Sequence, residues 1–592
     1  QYVTDGGGSV LLLRLSESPF DSGYAARVHG AVTSAIAGAD VDSDRVRVSG
    51  LYRYTHVVAS TTKRDMTRIG IASIVLIVVL FGTIWGRVRW LLLPITSIVV
   101  GGMVAAAATA VTFGSLHLLT VAFGASLIGV CADYSVHLLN DYAEQGFGPK
   151  KIWRSITLSA CTTSIGFGAL IGSTVPALRQ LAFFSIVGIL AAVAVAYLLA
   201  RMSFSSQPPG RRASHQRALD LAERLRDGLR SRRWLGVAMA VGVVVAAGVG
   251  FTQLRWEKSL DTLMNPAPEL RQEDAYVRDH VGGLSSNSVV LVSADSAEEA
   301  LQANDALAMA LDEAADDGAV SHYVSLHAAV WSARAQEANQ AFLRENGPSL
   351  VAKMREAFAD VGVAPERLAP VKDGFDIPTS VLTLDDLRQS PLAKSLALFD
   401  ISGDGTRLVT YLGEVSDRER IEAAVSGVDG AVLVRQKHAL DAAYVEFRRS
   451  VTRLSAIGLG LILVVLALAY RDPRSVLVVM TPPVVGAVAA LGVLSLLGTQ
   501  LGLAHVISLL MVIGIGVDYG VMLHGHRDDG ARLVLSLVMA YLTTLAAFGT
   551  LMLSEHPVLE AIGATIAVGT TCCLLVLPAL DGLLATEDEI DA

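Results

Sequence analysis

Charge is what this chain has least of: Asp, Glu, Lys and Arg make up 17% of its 592 residues, where soluble domains average about 25%. With 52% apolar residues and a mean hydropathy of +0.50, that scarcity excludes a wholly soluble protein. There is no basic excess either. The 47 Lys and Arg face 56 Asp and Glu for a formal charge of -9, so the electrostatic footprint of a nucleic-acid binder is missing. Cysteine is scarce, with only Cys131, Cys161, Cys572 and Cys573. All four fall in apolar runs, which excludes a disulfide framework and a CxxC metal pair and leaves packing as their role. His505, His524 and His526 make no HExxH or comparable ligand spacing, so no metal is expected. Neither GxxxxGKS/T nor GxSxG occurs, and neither ATP hydrolysis nor another enzymatic reaction is expected. GIGVDYG superficially matches a dinucleotide turn, but Tyr519 takes the third glycine position and the string is wholly inside an apolar run.

Long apolar runs are what the chain does have. A membrane crossing needs about 20 such residues, and eleven stretches qualify, the first at 69–85, the third at 120–140 and the last at 558–584. Lys and Arg occupy alternate connections: Arg87 and Arg89; Lys150, Lys151 and Arg154; the run 201–233; Arg471 and Arg474; Arg527 and Arg532. By the positive-inside rule these are cytoplasmic. The intervening loops GSLHLLT, GTQ and SEHP carry no Lys or Arg, and STVPALRQ only Arg179, so they face outward. This register places the long polar stretch between Leu254 and Val451 outside and the C-terminal tail inside.

The chain repeats itself. GVCADYSVHLL at 129–139 aligns without gaps to GIGVDYGVMLH at 514–524, at an offset of 385, and 69–85 maps onto 454–470 at that same offset. TTSIGFGAL at 162–170 matches TTLAAFGTL at 543–551 at an offset of 381. The soluble parts repeat as strand, helix, strand, helix: SVLLLRLS through RVRVSGLY in the first, RLVTYLGE through AVLVRQ in the second. NSVVLVSAD with the following Ala-rich helix adds another βα unit, so the second outward domain is expected to be α+β and ferredoxin-like. The expected fold is a polytopic α-helical membrane protein with duplicated halves about a pseudo-two-fold along the membrane normal. Residues 1–67 read as the second half of a first outward domain, 68–203 as a first membrane half of five helices, and 204–233 as a basic cytoplasmic linker. Residues 234–254 read as a helix opening the second repeat, 255–449 as the second outward domain, 450–585 as the second membrane half of five helices, and 586–592 as a tail. Trp234 opens its span 284 residues before Asp518, so the counterpart of that helix falls about 151 positions ahead of residue zero. The repeat therefore predicts an N-terminally truncated chain, with one helix and half a soluble domain upstream.

Asp133 and Asp518 lie deep in the apolar runs at matching positions of the repeat. A charged group at mid-bilayer costs at least about 2.5 kcal/mol, and such residues face a bundle interior or a polar path. The duplication points to proton or cation coupling. Adjacent helical residues point about 100° apart, so Tyr134 and Tyr519 each face away from their own Asp and toward that of the other half. Gly129 and Gly514, one turn earlier on the Asp face, would let the two Asp helices approach closely. Thr162, Thr163, Thr543 and Thr544 put hydroxyls at mid-span in the helices that follow, either as relay groups or bonded to backbone carbonyls. His137, four residues after Asp133, has Met522 as its counterpart and is expected to hold a local partner.

These Gly-x-x-x-Asp-Tyr helices, duplicated halves and outward βα domains resemble the resistance-nodulation-division superfamily, specifically its branch of large mycobacterial-type membrane exporters of lipids, the MMPL type. The resemblance covers essentially the whole chain. It implies that Asp133, Tyr134, Asp518 and Tyr519 are the proton relay, that the outward porter domains carry the substrate, and that a proton gradient stands where a cofactor would. The implied substrate is a membrane lipid or another hydrophobic or amphiphilic molecule, aryl polyene pigments of the xanthomonadin type among them. The partner is then a periplasmic or outer-membrane acceptor, and the location a bacterial inner membrane. Two alternatives share the architecture: a proton-driven helper of protein translocation, and a sterol-sensing-like receptor or scaffold that transports nothing.

Overall fold

The computed structural model describes residues 2–3, 9–11, 13, 15–19, 21–39, 45–86, 88–145, 150–203, 213–257, 268–280, 288–359, 380–402 and 405–584. For 2–3, 9–10, 88–89, 118–119, 121–130, 144–145, 150–151, 268–269, 278–280, 359, 394–395, 436–439 and 584 it describes the backbone course alone. Two compact units result: Gln1–Ser18, Gly30–Gly50 and Ala267–Leu440 form one, and Pro19–His29, Leu51–Pro266 and Asp441–Ala592 the other.

Near the start, β1 (Tyr2–Val3) pairs antiparallel with β2 (Ser9–Val10), and α1 (Ser22–Gly38) follows. The strand expected over RVRVSGLY does not form. Residues 46–50 are irregular and the next helix begins at Leu51. A strand needs a neighbour to satisfy its backbone, and here the Val48 amide donates to Glu273 Oε1 at 3.1 Å instead.

The first membrane half follows as α2 (Leu51–Trp85), α3 (Val88–Phe113), α4 (Leu118–Gln145), α5 (Lys150–Gly168) and α6 (Pro176–Ser203). The linker contributes α7 (Ala213–Ser231), and α8 (Arg233–Phe251) opens the second repeat. Leu and Arg of the linker alternate at helical spacing, so one face of α7 is apolar enough to pack. His215, Leu219 and Ala222 are buried, His215 stacks near Trp85 at 6.5 Å, and the Ser214 hydroxyl donates to the Ile84 carbonyl at 2.9 Å.

In the other unit, β3 (Val289–Ala294), α9 (Ala297–Asp316) and β4 (Tyr323–Val324) are followed by a long connection holding α10 (Ala333–Ala359). Then come β5 (Thr406–Leu412), α11 (Arg418–Ser426) and β6 (Ala431–Val434). The sheet order is β4-β5-β3-β6 with all neighbours antiparallel, the β-α-β-β-α-β ferredoxin-like arrangement. Alternating residues of the strands, Val290 and Val292 with Leu408 and Leu412, bury against Leu307, Leu311, Ile421 and Val425 of the two helices. Each helix starts on a side-chain cap: Ser296 accepts from the Glu299 amide and Asp417 from the Arg420 amide, satisfying backbone donors that a helix start leaves open.

The second membrane half consists of α12 (Gln436–Tyr470), α13 (Pro473–Leu496), α14 (Leu503–His526), α15 (Ala531–Phe548) and α16 (Pro557–Leu584). Both ends of α12 stand 385 residues after those of α2 (51 and 436, 85 and 470), and both ends of α16 stand 381 after those of α6 (176 and 557, 203 and 584). Packing repeats as well. A Cβ on Gly101 would meet the Gly188 carbonyl at 3.0 Å and Ala192 Cβ at 2.9 Å, while one on Gly486 would meet the Gly569 carbonyl at 2.8 Å and also Cys573. Equivalent glycines thus let α3 lie close on α6 and α13 on α16. Among the described residues ten helices are long and apolar enough to cross a membrane. The remaining expected crossing, 120–140, lies in α4, part of which is described by backbone course alone. Cys131, Cys572 and Cys573 pack inside, whereas Cys161 is exposed, because α5 turns its Ser159 and Thr163 side inward instead.

Candidate functional site

Asp518 sits on α14, the most enclosed of the candidate spans. The sequence makes that enclosure possible through two glycines four residues apart. A Cβ on Gly516 would stand 2.6 Å from Pro483 Cα, and one on Gly520 2.8 Å from Val479 Cα, so α13 can lie directly on the helix that carries the acid. In the first half Asp133 sits on α4, flanked at the equivalent positions by Cys131 and Ser135. The two carboxyls are 2% and 4% exposed, which removes any direct solvation by the surface.

The halves interlock crosswise. α4 packs on α15 and α14 packs on α5, so each Asp helix abuts the helix that follows the other Asp. Gly514 therefore does not serve an approach of the two Asp helices. A Cβ there would stand 3.1 Å from Thr163 Cγ2, so the glycine admits α5. Gly129 belongs to 121–130, where side-chain surroundings lie outside the described residues.

This interlock decides which hydroxyls reach the acids. Thr543 donates to Asp133 Oδ1 at 2.5 Å and Thr544 to Asp133 Oδ2 at 3.1 Å. Their counterparts do not do the same for Asp518. Thr162 bonds back to the Ser159 carbonyl at 2.9 Å, and the buried Thr163 hydroxyl makes no hydrogen bond. Asp518 accepts instead from the Ser159 hydroxyl. Ser159 was invisible to the repeat argument, because its equivalent at an offset of 381 is Ala540. Its signal is its spacing, one turn before Thr163 on the same face of α5.

Each tyrosine stands beside the carboxyl of the other half, Tyr134 by Asp518, Ser159 and Thr163, and Tyr519 by Asp133 and Thr544. Both hydroxyls are buried without a well-formed hydrogen bond, with Thr163 and Ser159 close to that of Tyr134 and Thr544 close to that of Tyr519. The two carboxyls are themselves within electrostatic reach of one another. Two acids, three bonded hydroxyls and three unbonded ones thus share one enclosed cluster. Buried hydroxyls normally find a partner, and the nearest candidates are Thr163 and Ser159 for Tyr134 and Thr544 for Tyr519.

One turn beyond Asp133, His137 Nδ1 lies 2.6 Å from Ser536 Oγ of the other half. Asn140 donates to the Arg532 carbonyl at 2.9 Å, and His526 pairs with Asp529 at 2.8 Å. These groups line a polar cavity of about 30 Å³, room for a water molecule. The polar cluster therefore continues from Asp133 toward the α4 end that carries Asn140 and Asp141.

Removing the Thr543 and Thr544 hydroxyls tests how firmly Asp133 is held. Thr543→Val with Thr544→Val should lower stability in detergent by roughly 1 kcal/mol, the usual worth of such bonds between membrane helices. Thr162→Val, whose bond is to its own helix, should leave stability unchanged. Thermal unfolding of the same preparations checks both.

Comparison with known proteins places the two acid-bearing helices in two matches. Residues 5–204 match the MMPL family model, and residues 423–526 match the model described as protein export membrane protein SecD/SecF, C-terminal. A membrane protein of Methanocaldococcus jannaschii is 26% identical over 213 residues, covering 33% of this chain and 54% of that protein. The hopanoid transporter HpnN of Burkholderia multivorans is 31% identical over 120 residues, covering 19% of this chain and 14% of the transporter. Among solved structures, the translocon-associated membrane protein SecDF of Thermus thermophilus aligns with a TM-score of 0.48 at 15% identity, covering 87% of this chain and 62% of that one. A super-membrane-facing form of SecDF gives 0.44 at 16%, covering 88% and 62%. The chain spans about half the length of the first of these curated relatives and a smaller part of the second.

Proposed function

We propose that this chain, a multi-pass membrane protein of MMPL type by its residues 5–204, is a proton-driven exporter of lipid or another hydrophobic or amphiphilic molecule in a bacterial inner membrane. The observation that carries this reading is the enclosed cluster in which Asp133 and Asp518, equivalent in the repeat, are each held by a hydroxyl from the opposite half. A change in the protonation of either acid alters a bond between halves, and so moves one half against the other. Tyr134 and Tyr519 act as the second bonding partners of the acids, and Thr162, Thr163, Thr543 and Thr544 supply or withhold hydroxyls as the halves move. No cofactor is required, because the membrane potential contributes about 2.3 kcal/mol per charge per 100 mV. The polar cavity by His137 is the inner end of the proton path. The distribution of Lys and Arg supports a cytoplasmic linker and outward porter domains, from which an acceptor in the periplasm or outer membrane would take the cargo.

The match of residues 423–526 to SecD/SecF favours one second reading, a proton-driven helper of protein translocation. A single set of proteoliposomes separates the two. With an imposed proton gradient, the protein should accelerate transfer of a lipid bearing a labelled acyl chain to an external acceptor, and collapse of the gradient should return transfer to the protein-free rate. Gradient-dependent completion of a translocating polypeptide, with no lipid transfer, would replace the first reading by the second.

A further inference from the structure

A second site lies in the membrane unit, away from the acids. A cavity of about 580 Å³ opens between the linker helix α7, the start of α8 and the ends of α14, α15 and α16, a volume usual for a site that takes an organic ligand. Its walls are apolar, with Val237, Leu537 and Leu574 among them, and its rim carries Arg226, Arg230, Arg233 and Arg527 against one carboxylate, Asp581. Asp581 is already shared, at 3.2 Å from Arg230 and 3.1 Å from Arg527. Arg226 and Arg233 make no ion pair among the described residues. Among the described residues that line the cavity, Arg226 and Arg233 are thus two guanidiniums without a carboxylate partner, beside an apolar slot. Leu225, a further wall residue, is 47% exposed and Val237 is 54% exposed, so the slot opens to the surroundings of the helices.

We propose that this cavity holds one anionic phospholipid, its phosphate against Arg226 and Arg233 and an acyl chain along Leu537 and Leu574. The inference rests on the cytoplasmic placement of α7 proposed above, which sets the rim at headgroup level on the leaflet that is rich in anionic lipid. Charge selects the ligand: a phosphatidylcholine head would bring its cation among four guanidiniums, whereas a phosphatidylglycerol head brings none. Guanidinium is also the group best shaped for bidentate contact with phosphate. The bound lipid would tie the linker to the second half without being cargo.

Native mass spectrometry of protein extracted from bilayers of phosphatidylcholine with a minority of phosphatidylglycerol reads this directly. The unmodified protein should retain one phosphatidylglycerol. Arg226→Gln with Arg233→Gln should reduce retention by about tenfold or more, and Leu537→Trp, which fills the slot but leaves every charge, should reduce it likewise. Asp133→Asn should retain the lipid in full, so failure of the transport reading leaves this result intact. Equal retention of both lipids by the unmodified protein would overturn the proposal, as would unchanged retention in both variants. So would binding of phosphatidylglycerol only after removal of the acidic residues 585–592, since the tail would then be the occupant.

Discussion

Asp133→Asn and Asp518→Asn should each reduce gradient-driven transport to background while the folded protein stays in the membrane at normal yield. Asn keeps the volume of the acid and its carbonyl oxygen, so Thr543 keeps an acceptor at position 133 and Ser159 keeps one at position 518. What is lost is the ability to exchange a proton. If the cluster only held the halves together, an isosteric amide would be tolerated, since it keeps one acceptor oxygen at each position and at 133 its NH2 can donate to the Thr544 hydroxyl in place of the bond that Thr544 donated. If it couples, either substitution alone is fatal, because a relay of two acids in one cluster titrates as a pair and loses its cycle with either member. Tyr134→Phe and Tyr519→Phe should impair transport rather than abolish it, since neither hydroxyl bonds a carboxyl in the present arrangement. Asn variants that transport at the unmodified rate would leave the acids as packing residues.

The largest effect on stability is expected far from the acids, where α8 crosses α13. A Cβ on Gly492 would stand 2.5 Å from the Ala247 carbonyl oxygen and 2.6 Å from Ala247 Cα, and one on Gly250 would run into the backbone of Gly492. Overpacking a core typically costs about 1 to 3 kcal/mol even when side chains can yield, and backbone cannot yield without parting the helices. Gly492→Val should therefore abolish monodisperse folded protein in detergent. Gly242 and Gly248 lie on the same helix as Gly250 with nothing within 4 Å of an added Cβ. Gly242→Ala and Gly248→Ala should be tolerated, and should raise the melting temperature slightly, since Ala is the better helix former. A Gly492→Val protein of normal yield and melting behaviour would show that this crossing is looser than its glycines indicate.

The duplication was legible because it is gapless where it matters. Offsets of 385 and 381, found in two short strings, fall on the helix ends as well, and on the glycine contacts of α3 with α6 and α13 with α16. Periodicity likewise located three of the four ferredoxin-like strands, β3, β5 and β6, but not β4 (Tyr323–Val324), which at two residues is too short to show a period. What the sequence hid were pairings between segments. Nothing in RVRVSGLY says that no neighbouring strand takes its backbone bonds, and nothing near Gly514 says that it faces α5 and not α4. The repeat itself misled at Ser159. Symmetry predicts that equivalent hydroxyls serve both acids, yet Asp133 has two threonines and Asp518 a serine that has no counterpart.

The most direct test of the account measures protons and cargo together. Proteoliposomes with a pH-sensitive dye inside and a labelled acyl-chain lipid in the bilayer report both fluxes under an imposed gradient. The account predicts that the unmodified protein moves protons and lipid at rates that rise and fall together, and that Asp133→Asn and Asp518→Asn abolish both fluxes. Lipid transfer that proceeds at full rate without a gradient, or proton movement unchanged in the two Asn proteins, would contradict it.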